Sequence, residues 1–243
     1  MRWHLMEGEA GCEFAVAHGH VAVVVDALRA SSTAAQLLAE GAREILVVRT
    51  VEEALAARKD WPDALLYGER GGLPPAGFDF GNSPLEAVHA RDRRVIFSTT
   101  TGAGRMVSAW GAAAVYLGAV INAKAVVAQA RSHGRDVVLI PAGLAGDPDF
   151  DAREDWVGAA AIAMAVGEGL LLGEGAAAYA YWYSRIDDEG ITHLFSTAPH
   201  AEKLRAVGME ADITYCAQAD ICSSVPVGVA RNALGVLTRS AIC

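Results

Sequence analysis

Short runs of β-branched and other apolar residues recur along the chain, each followed by a stretch of helical length and spacing. The runs at 21 to 26 (Val-Ala-Val-Val-Val-Asp), 44 to 49, 64 to 68, 94 to 99, 113 to 118 and 136 to 141 read as strands. Most are too apolar to keep one face in water, the pattern of strands covered on both sides of a sheet. Between them, residues 32 to 40, 51 to 59, 103 to 110 and 122 to 132 predict helices, and 152 to 172 predicts a longer buried one. This alternation predicts a three-layer α/β/α fold with a largely parallel or mixed central sheet. Residues 176 to 220 read as helical, with a surface turn at Asp187-Asp188-Glu189. The aromatic cluster Tyr179, Tyr181, Trp182 and Tyr183 is expected in the core, because aromatic side chains dominate buried area. No repeat or Pro/Ser-rich linker divides the chain, so residues 1 to 243 are read as a single domain.

Composition narrows the function. Of the 243 residues, 53% are hydrophobic and 20% charged, which suits a large globular core. The net charge of -9 and the lack of any basic run exclude a nucleic-acid partner, since phosphate backbones are held by clustered Lys and Arg. The apolar stretch Val157 to Leu172 contains Glu168 and several glycines and is short for a bilayer span, so no membrane association is expected. Met1 to Glu7 interrupts its apolar residues with charge, unlike a secretion signal, and a cytoplasmic location is expected. Cys12, Cys216, Cys222 and Cys243 form neither a CxxC pair nor a zinc spacing and read as buried or incidental reduced thiols.

Ligands of open α/β sheets bind beyond the carboxyl ends of the strands, and polar residues collect there in this chain. The first run ends in Asp26 and continues through Arg29, Ser31, Ser32 and Thr33 into a helix. A serine cap, free helical N–H groups and a bidentate Arg29 would form an anion corner; ordinary capping is the plainer reading. The third run leads into a long loop carrying Glu69, Arg70, Gly71, Gly72, Asp79, Asn82 and Ser83. Its glycines permit close backbone approach to a ligand, Glu69 and Asp79 can serve a metal or its water, and Arg70 can meet a phosphate or carboxylate. A packed surface loop with an internal ion pair would look the same. The fourth run enters Thr99, Thr100, Thr101, Gly102 and Arg105, a second candidate anion cradle without the spacing of a nucleotide phosphate loop. Asn122, the turn Pro141-Ala142-Gly143 and Glu154-Asp155 are weaker candidates; carboxylates in a first helical turn often only suit the helix dipole. Scattered histidines argue against zinc, and no Gly-x-Ser-x-Gly elbow is present.

Asp26-Ala27-Leu28-Arg29-Ala30-Ser31-Ser32, with Gly68-Glu69-Arg70-Gly71-Gly72 continuing through Gly77-Phe78-Asp79-Phe80-Gly81-Asn82-Ser83-Pro84, resembles the 2-phosphosulfolactate phosphatase family. The likeness extends at lower density from about residue 20 to residue 165, including Asn122 and Glu154-Asp155. Where members typically carry Thr-Thr-Asn-Gly-Thr before Arg, this chain has Thr99-Thr100-Thr101-Gly102-Ala103-Gly104-Arg105. The resemblance implies an Mg²⁺-dependent phosphatase of 2-phospho-3-sulfolactate, within sulfolactate or coenzyme M metabolism. Asp26, Glu69 and Arg70 would then be catalytic, with Mg²⁺ near Asp26 and Glu69 and Asp79 a third contributor. Arg29, Ser31, Ser32, Gly71, Gly72, Asn82, Ser83, Thr99, Thr100, Arg105 and Asn122 would bind the small, multiply anionic phosphate ester. Asp26 would hold the metal or attack phosphorus itself. A phosphatase of another 2-hydroxy-acid phosphate, or a non-catalytic anion-binding protein, remains an alternative, and a homo-oligomer stays open.

Overall fold

The computed structural model describes residues 1–147 and 149–241. Among them, nine strands form one mixed sheet: β1 (Trp3–Leu5), β2 (Val21–Val25), β3 (Glu44–Val48), β4 (Leu65–Gly68), β5 (Arg94–Ser98), β6 (Ala114–Leu117), β7 (Val137–Pro141), β8 (Pro226–Arg231) and β9 (Gly235–Ser240). Their spatial order is β1-β7-β2-β6-β8-β9-β3-β5-β4. The first four in that order pair in parallel, as do the last three. The β8–β9 hairpin joins the two blocks through antiparallel pairings with β6 and β3.

Between and after the strands lie α1 (Gly8–His18), α2 (Ala30–Ala39), α3 (Val51–Asp60), α4 (Gly102–Ser108), α5 (Ala123–Arg131), α6 (Arg153–Val166), α7 (Ala176–Glu189), α8 (Ile191–Ser196), α9 (Pro199–Ala206) and α10 (Glu210–Cys216). The layers follow from the two-residue alternation of a strand. Ala22 and Val24 of β2, with Ile45 and Val47 of β3, pack on α1, α2 and α4. Val21, Val23 and Val25 face the opposite side, against α5 and α6. Leu46 and Val48 meet α3 on that same side. The result is the three-layer α/β/α arrangement expected from the alternating pattern, with helices over both faces of the sheet.

Several boundaries are set by local chemistry. At the start of α3, Thr50 accepts a hydrogen bond from Glu53 N while the Glu53 side chain accepts from Thr50 N, a reciprocal cap readable in the sequence. The long apolar stretch stops being helical at Val166, earlier than its apolarity suggests, because Gly167 takes φ +68° and Gly169 φ +89°. The aromatic cluster also divides: Tyr179 and Trp182 pack against the core, while Tyr181 and Tyr183 are exposed. On α7 the rings touch across that division, Tyr179 with Tyr183 at 5.8 Å and Tyr181 with Trp182 at 5.0 Å between centroids, but only one of each two reaches the core, so the expectation of a wholly buried cluster fails. Cys12, Cys216 and Cys222 are free and buried, and burial pushes the thiols of Cys12 and Cys216 up to about 12; Cys243 lies outside the described residues. Among the described residues, no helix is long and apolar enough to cross a membrane.

Candidate active site

The ends of β2, β4, β5 and β7 meet at a cavity of about 310 Å³. Asp26, Leu28 and Arg29 enter it from the segment after β2, Glu69, Gly71 and Gly72 from the loop after β4, and Thr100 and Thr101 from the segment after β5. Gly143 and Leu144 follow β7, and Asp155 comes from the first turn of α6. Asn82, Phe150 and, from α9, His200, Lys203 and Leu204 complete the wall.

The carboxylates stitch these strand ends together. Asp26 accepts hydrogen bonds from Ala30 N and Gly102 N, both at 3.0 Å, which ties the end of β2 to the segment after β5. Asp155 accepts from Ala27 N at 2.8 Å and Gly143 N at 3.2 Å, linking the ends of β2 and β7. Glu69 accepts from Thr100 N at 2.8 Å and Gly72 N at 3.0 Å, linking β4 and β5. Position 102 has to be glycine for this to work, since a Cβ there would sit 2.5 Å from Asp26 Oδ2.

Charge is concentrated and poorly compensated. Burial, with the nearby charges of Glu69 and Glu154, raises the Asp26 carboxyl above its ordinary value. Asp155 is pushed well above its own by burial and then by Asp26 and Glu154. Burial would do the same to Glu69, but the Gly72 and Thr100 N–H groups and the nearness of His200 outweigh it and hold that carboxyl low. His200 Nδ1 lies 3.2 Å from Glu154 Oε1. Burial opposes a charge on the imidazole, yet Glu154, Asp26 and Glu69 together raise its affinity for a proton. Glu154 is 1% exposed, and its Oε2 is buried without a hydrogen-bond partner, as is Asn82 Oδ1.

Several residues expected at the site sit elsewhere or are already engaged. Arg29 lines the cavity, but its guanidinium pairs with Asp212 of α10 and donates to Gly72 O at 3.0 Å. Ser31 donates to Val24 O and Ser32 to Ala27 O, so neither caps α2 with its side chain. The free helical N–H groups expected there are taken too, Ala30 N by the Asp26 carboxylate and Ser31 N by Asp26 O. Ser83 donates to Asp212 at 2.6 Å, and Thr99 Oγ1 accepts from Ala103 N. Asn122 is buried away from the cavity, accepting from Ala119 N and donating to Ser224 O. Arg105 faces an adjoining hollow, donating to Ala142 O and pairing with Glu9 at 2.8 Å. Asp79 accepts from Leu66 N at 2.8 Å and pairs with Arg58 at 3.1 Å, so it does not line the cavity.

Arg70 is the largest departure. Its guanidinium turns back to Ser98 Oγ at 2.9 Å, Ser98 O at 3.3 Å and Arg49 O at 3.2 Å, buckling the loop to β5. Arg70→Ala is therefore expected to lower stability by roughly 1–2 kcal/mol through the acceptors it strands. Denaturant unfolding checks this, and an unchanged midpoint with a lost catalytic rate would return Arg70 to the chemistry.

His200, Lys203 and Phe150 line the cavity without belonging to any of the polar strand ends or motifs above. The Lys203 ammonium lies 4.4 Å from the Phe150 ring centroid, and His200 meets the same ring edge-on. The available signal was slight, a Pro199-His200 helix start in a polar segment.

A second polar group, His4, His20 and Asp136, has candidate ligand atoms within 4.8 Å of one another. His4 Nδ1 accepts from Glu174 N at 2.9 Å, which puts the proton of the neutral ring on Nε2 and leaves that atom no lone pair for a metal.

The sequence profile described as 2-phosphosulpholactate phosphatase matches residues 12–231. The chain belongs to this family. It is 37% identical over 214 residues to a probable 2-phosphosulfolactate phosphatase of Pseudothermotoga lettingae, covering 88% of this chain and 92% of that protein. The protein of the same description from Deinococcus radiodurans is 37% identical over 213 residues, covering 85% and 86%. That of Gloeobacter violaceus is 36% identical over 222 residues, covering 90% and 91%. Membership makes the chain a phosphatase, a hydrolase of phosphoric monoesters.

Proposed function

We propose that this protein hydrolyses 2-phospho-3-sulfolactate to 3-sulfolactate and phosphate, with Mg²⁺ bound, in the cytoplasm. Its family and the descriptions of its relatives support the substrate. A cavity of about 310 Å³ suits so small an ester.

The observation that carries the metal is the balance of charge around the cavity. Asp26, Glu69 and Asp155 face Arg29, His200 and Lys203, and Arg29 is already neutralised by Asp212. A phosphate dianion entering such a wall meets too little positive charge unless a cation accompanies it. The donor set fits a hard, oxygen-seeking ion, and the upward-shifted Asp26 and Asp155 are carboxyls whose mutual repulsion a divalent cation relieves. Asp26 and Asp155 would hold the ion, with Glu69 across the cavity. When bound, Mg²⁺ offsets the charge that gathers on the phosphoryl oxygens. Lys203 meets an anionic end of the ester, and the unpartnered Asn82 amide oxygen accepts from a hydroxyl or a bound water.

The test combines turnover with binding. Purified protein is screened for phosphate release across 2-hydroxy-acid phosphates, with and without chelation, while its melting temperature is followed against Mg²⁺. Saturation at about a hundred times the dissociation constant should add roughly 2.7 kcal/mol of stability. Full turnover after exhaustive chelation, or a melting temperature indifferent to Mg²⁺, contradicts the metal; preference for an ester without a sulfonate contradicts the substrate.

A further inference from the structure

Resting on the phosphatase reading above, we propose that His200 is the acid that protonates the departing alkyl oxygen, and that Glu154 holds it for that task. Hydrolysis at phosphorus breaks the ester P–O bond with its electron pair going to the alkyl oxygen, while water forms the new P–O bond. An aliphatic alkoxide is a poor leaving group, so a proton delivered as the bond breaks lowers the barrier. In this step His200 Nε2–H supplies that proton. The proton lost by the attacking water returns to the imidazole through solvent, and charge balances.

The geometry singles out His200 among the groups on the wall. Asp26 and Asp155 are taken by the ion in the reading above, and the Gly72 and Thr100 N–H groups hold Glu69 in the form without a proton. The Lys203 ammonium rests over the Phe150 ring. His200 Nδ1 instead faces Glu154 Oε1 at 3.2 Å, so Nδ1 carries hydrogen and the ring orientation is fixed. Nε2 has no protein hydrogen-bond partner among the described residues, and the ring, 34% exposed, lines the cavity where the ester enters. Glu154 is 1% exposed and its Oε1 meets His200 Nδ1, so a buried, immobile side chain on α6 holds the ring with Nε2 turned away from it.

The experiment varies the need for a proton. Wild type, His200→Gln and Glu154→Gln are compared on 2-phospho-3-sulfolactate, whose leaving group is a basic alkoxide, and on p-nitrophenyl phosphate, whose leaving phenolate needs no acid. His200→Gln should lose on the order of a hundredfold or more in kcat on the alkyl ester, with the aryl ester affected by less than about fivefold. Glu154→Gln should show the same selectivity at smaller size, and the double variant should be no worse than His200→Gln, because the two act as one unit. Imidazole added to His200→Gly should restore alkyl-ester turnover, a readout that does not depend on the aryl ester or on the fold of the other variants. Equal losses on both esters, unchanged alkyl turnover or absent imidazole rescue each overturn the assignment. Wild type that releases phosphate from neither ester overturns the phosphatase reading first and this one with it.

Discussion

Asp26→Asn is expected to abolish phosphate release, by about a thousandfold or more in kcat, while the protein stays folded. The carboxylate sits where the segments after β2 and β5 meet, and both of its oxygens are fixed by backbone N–H groups, so its charge is aimed into the cavity. Asn preserves the size but turns an NH₂ towards either Ala30 N or Gly102 N. That donor-to-donor contact costs roughly 1–3 kcal/mol. Removing the charge works the other way, because burial and the neighbouring Glu69 and Glu154 already make ionisation of Asp26 unfavourable. The two effects oppose each other, and the melting temperature should move little. Loss of Mg²⁺ binding by calorimetry should accompany the loss of rate. Near-wild-type turnover would falsify a chemical role for Asp26, and a collapsed melting temperature would show that its backbone contacts matter more than its charge.

Asp26 was readable because it terminates a fully apolar run, and a charged residue at that point lies beyond the carboxyl end of a buried strand whatever the rest of the chain does. Glu69 and the glycines after β4 follow the same logic. What the loop residues then touch was not readable. Arg70 and Gly72 are neighbours, yet the Gly72 backbone faces the cavity while the Arg70 side chain turns to Ser98, and the choice depends on a partner in another strand. Asp79 and Arg105 were drawn away by Arg58 and Glu9 in the same manner. His200 and Lys203 present a different difficulty. They reach the site because α9 buries its Ala201 and Leu204 in the core that residues of α5, α6 and α8 also fill, a contact between distant segments with no local pattern to announce it. The β8–β9 hairpin is hidden in the sequence for a related reason: its strands carry Pro226, Gly228 and exposed polar positions, and only pairing with β6 and β3 makes them strands. Helix α1 has a weak sequence signature because Gly8 and Gly11 lower its propensity, although Gly11 is required where a Cβ would fall 2.2 Å from Met6 O.

Asp212→Ala is expected to produce the largest loss of stability of any change near the cavity, about 3–5 kcal/mol, although Asp212 belongs to α10 and does not line the cavity. Its side chain and that of Arg29 are each 2% exposed, and Asp212 also accepts from Ser83 Oγ at 2.6 Å. Arg29 in turn donates to Gly72 O, so one buried pair fastens the segment after β2, the loop after β4 and the C-terminal helices to one another. Removing the carboxylate leaves a guanidinium in the interior without its ion-pair partner, and desolvation that the pair had offset becomes a net cost. The comparison that isolates this cause is Arg29→Met combined with Asp212→Leu, which removes both charges and keeps most of the volume. The double variant should unfold at a higher urea concentration than Asp212→Ala alone, despite carrying one more substitution, because burying two apolar chains is cheaper than burying one unpaired ion. Equal or greater destabilisation of the double variant would mean that the hydrogen bonds to Ser83 and Gly72, rather than the stranded charge, hold these segments together.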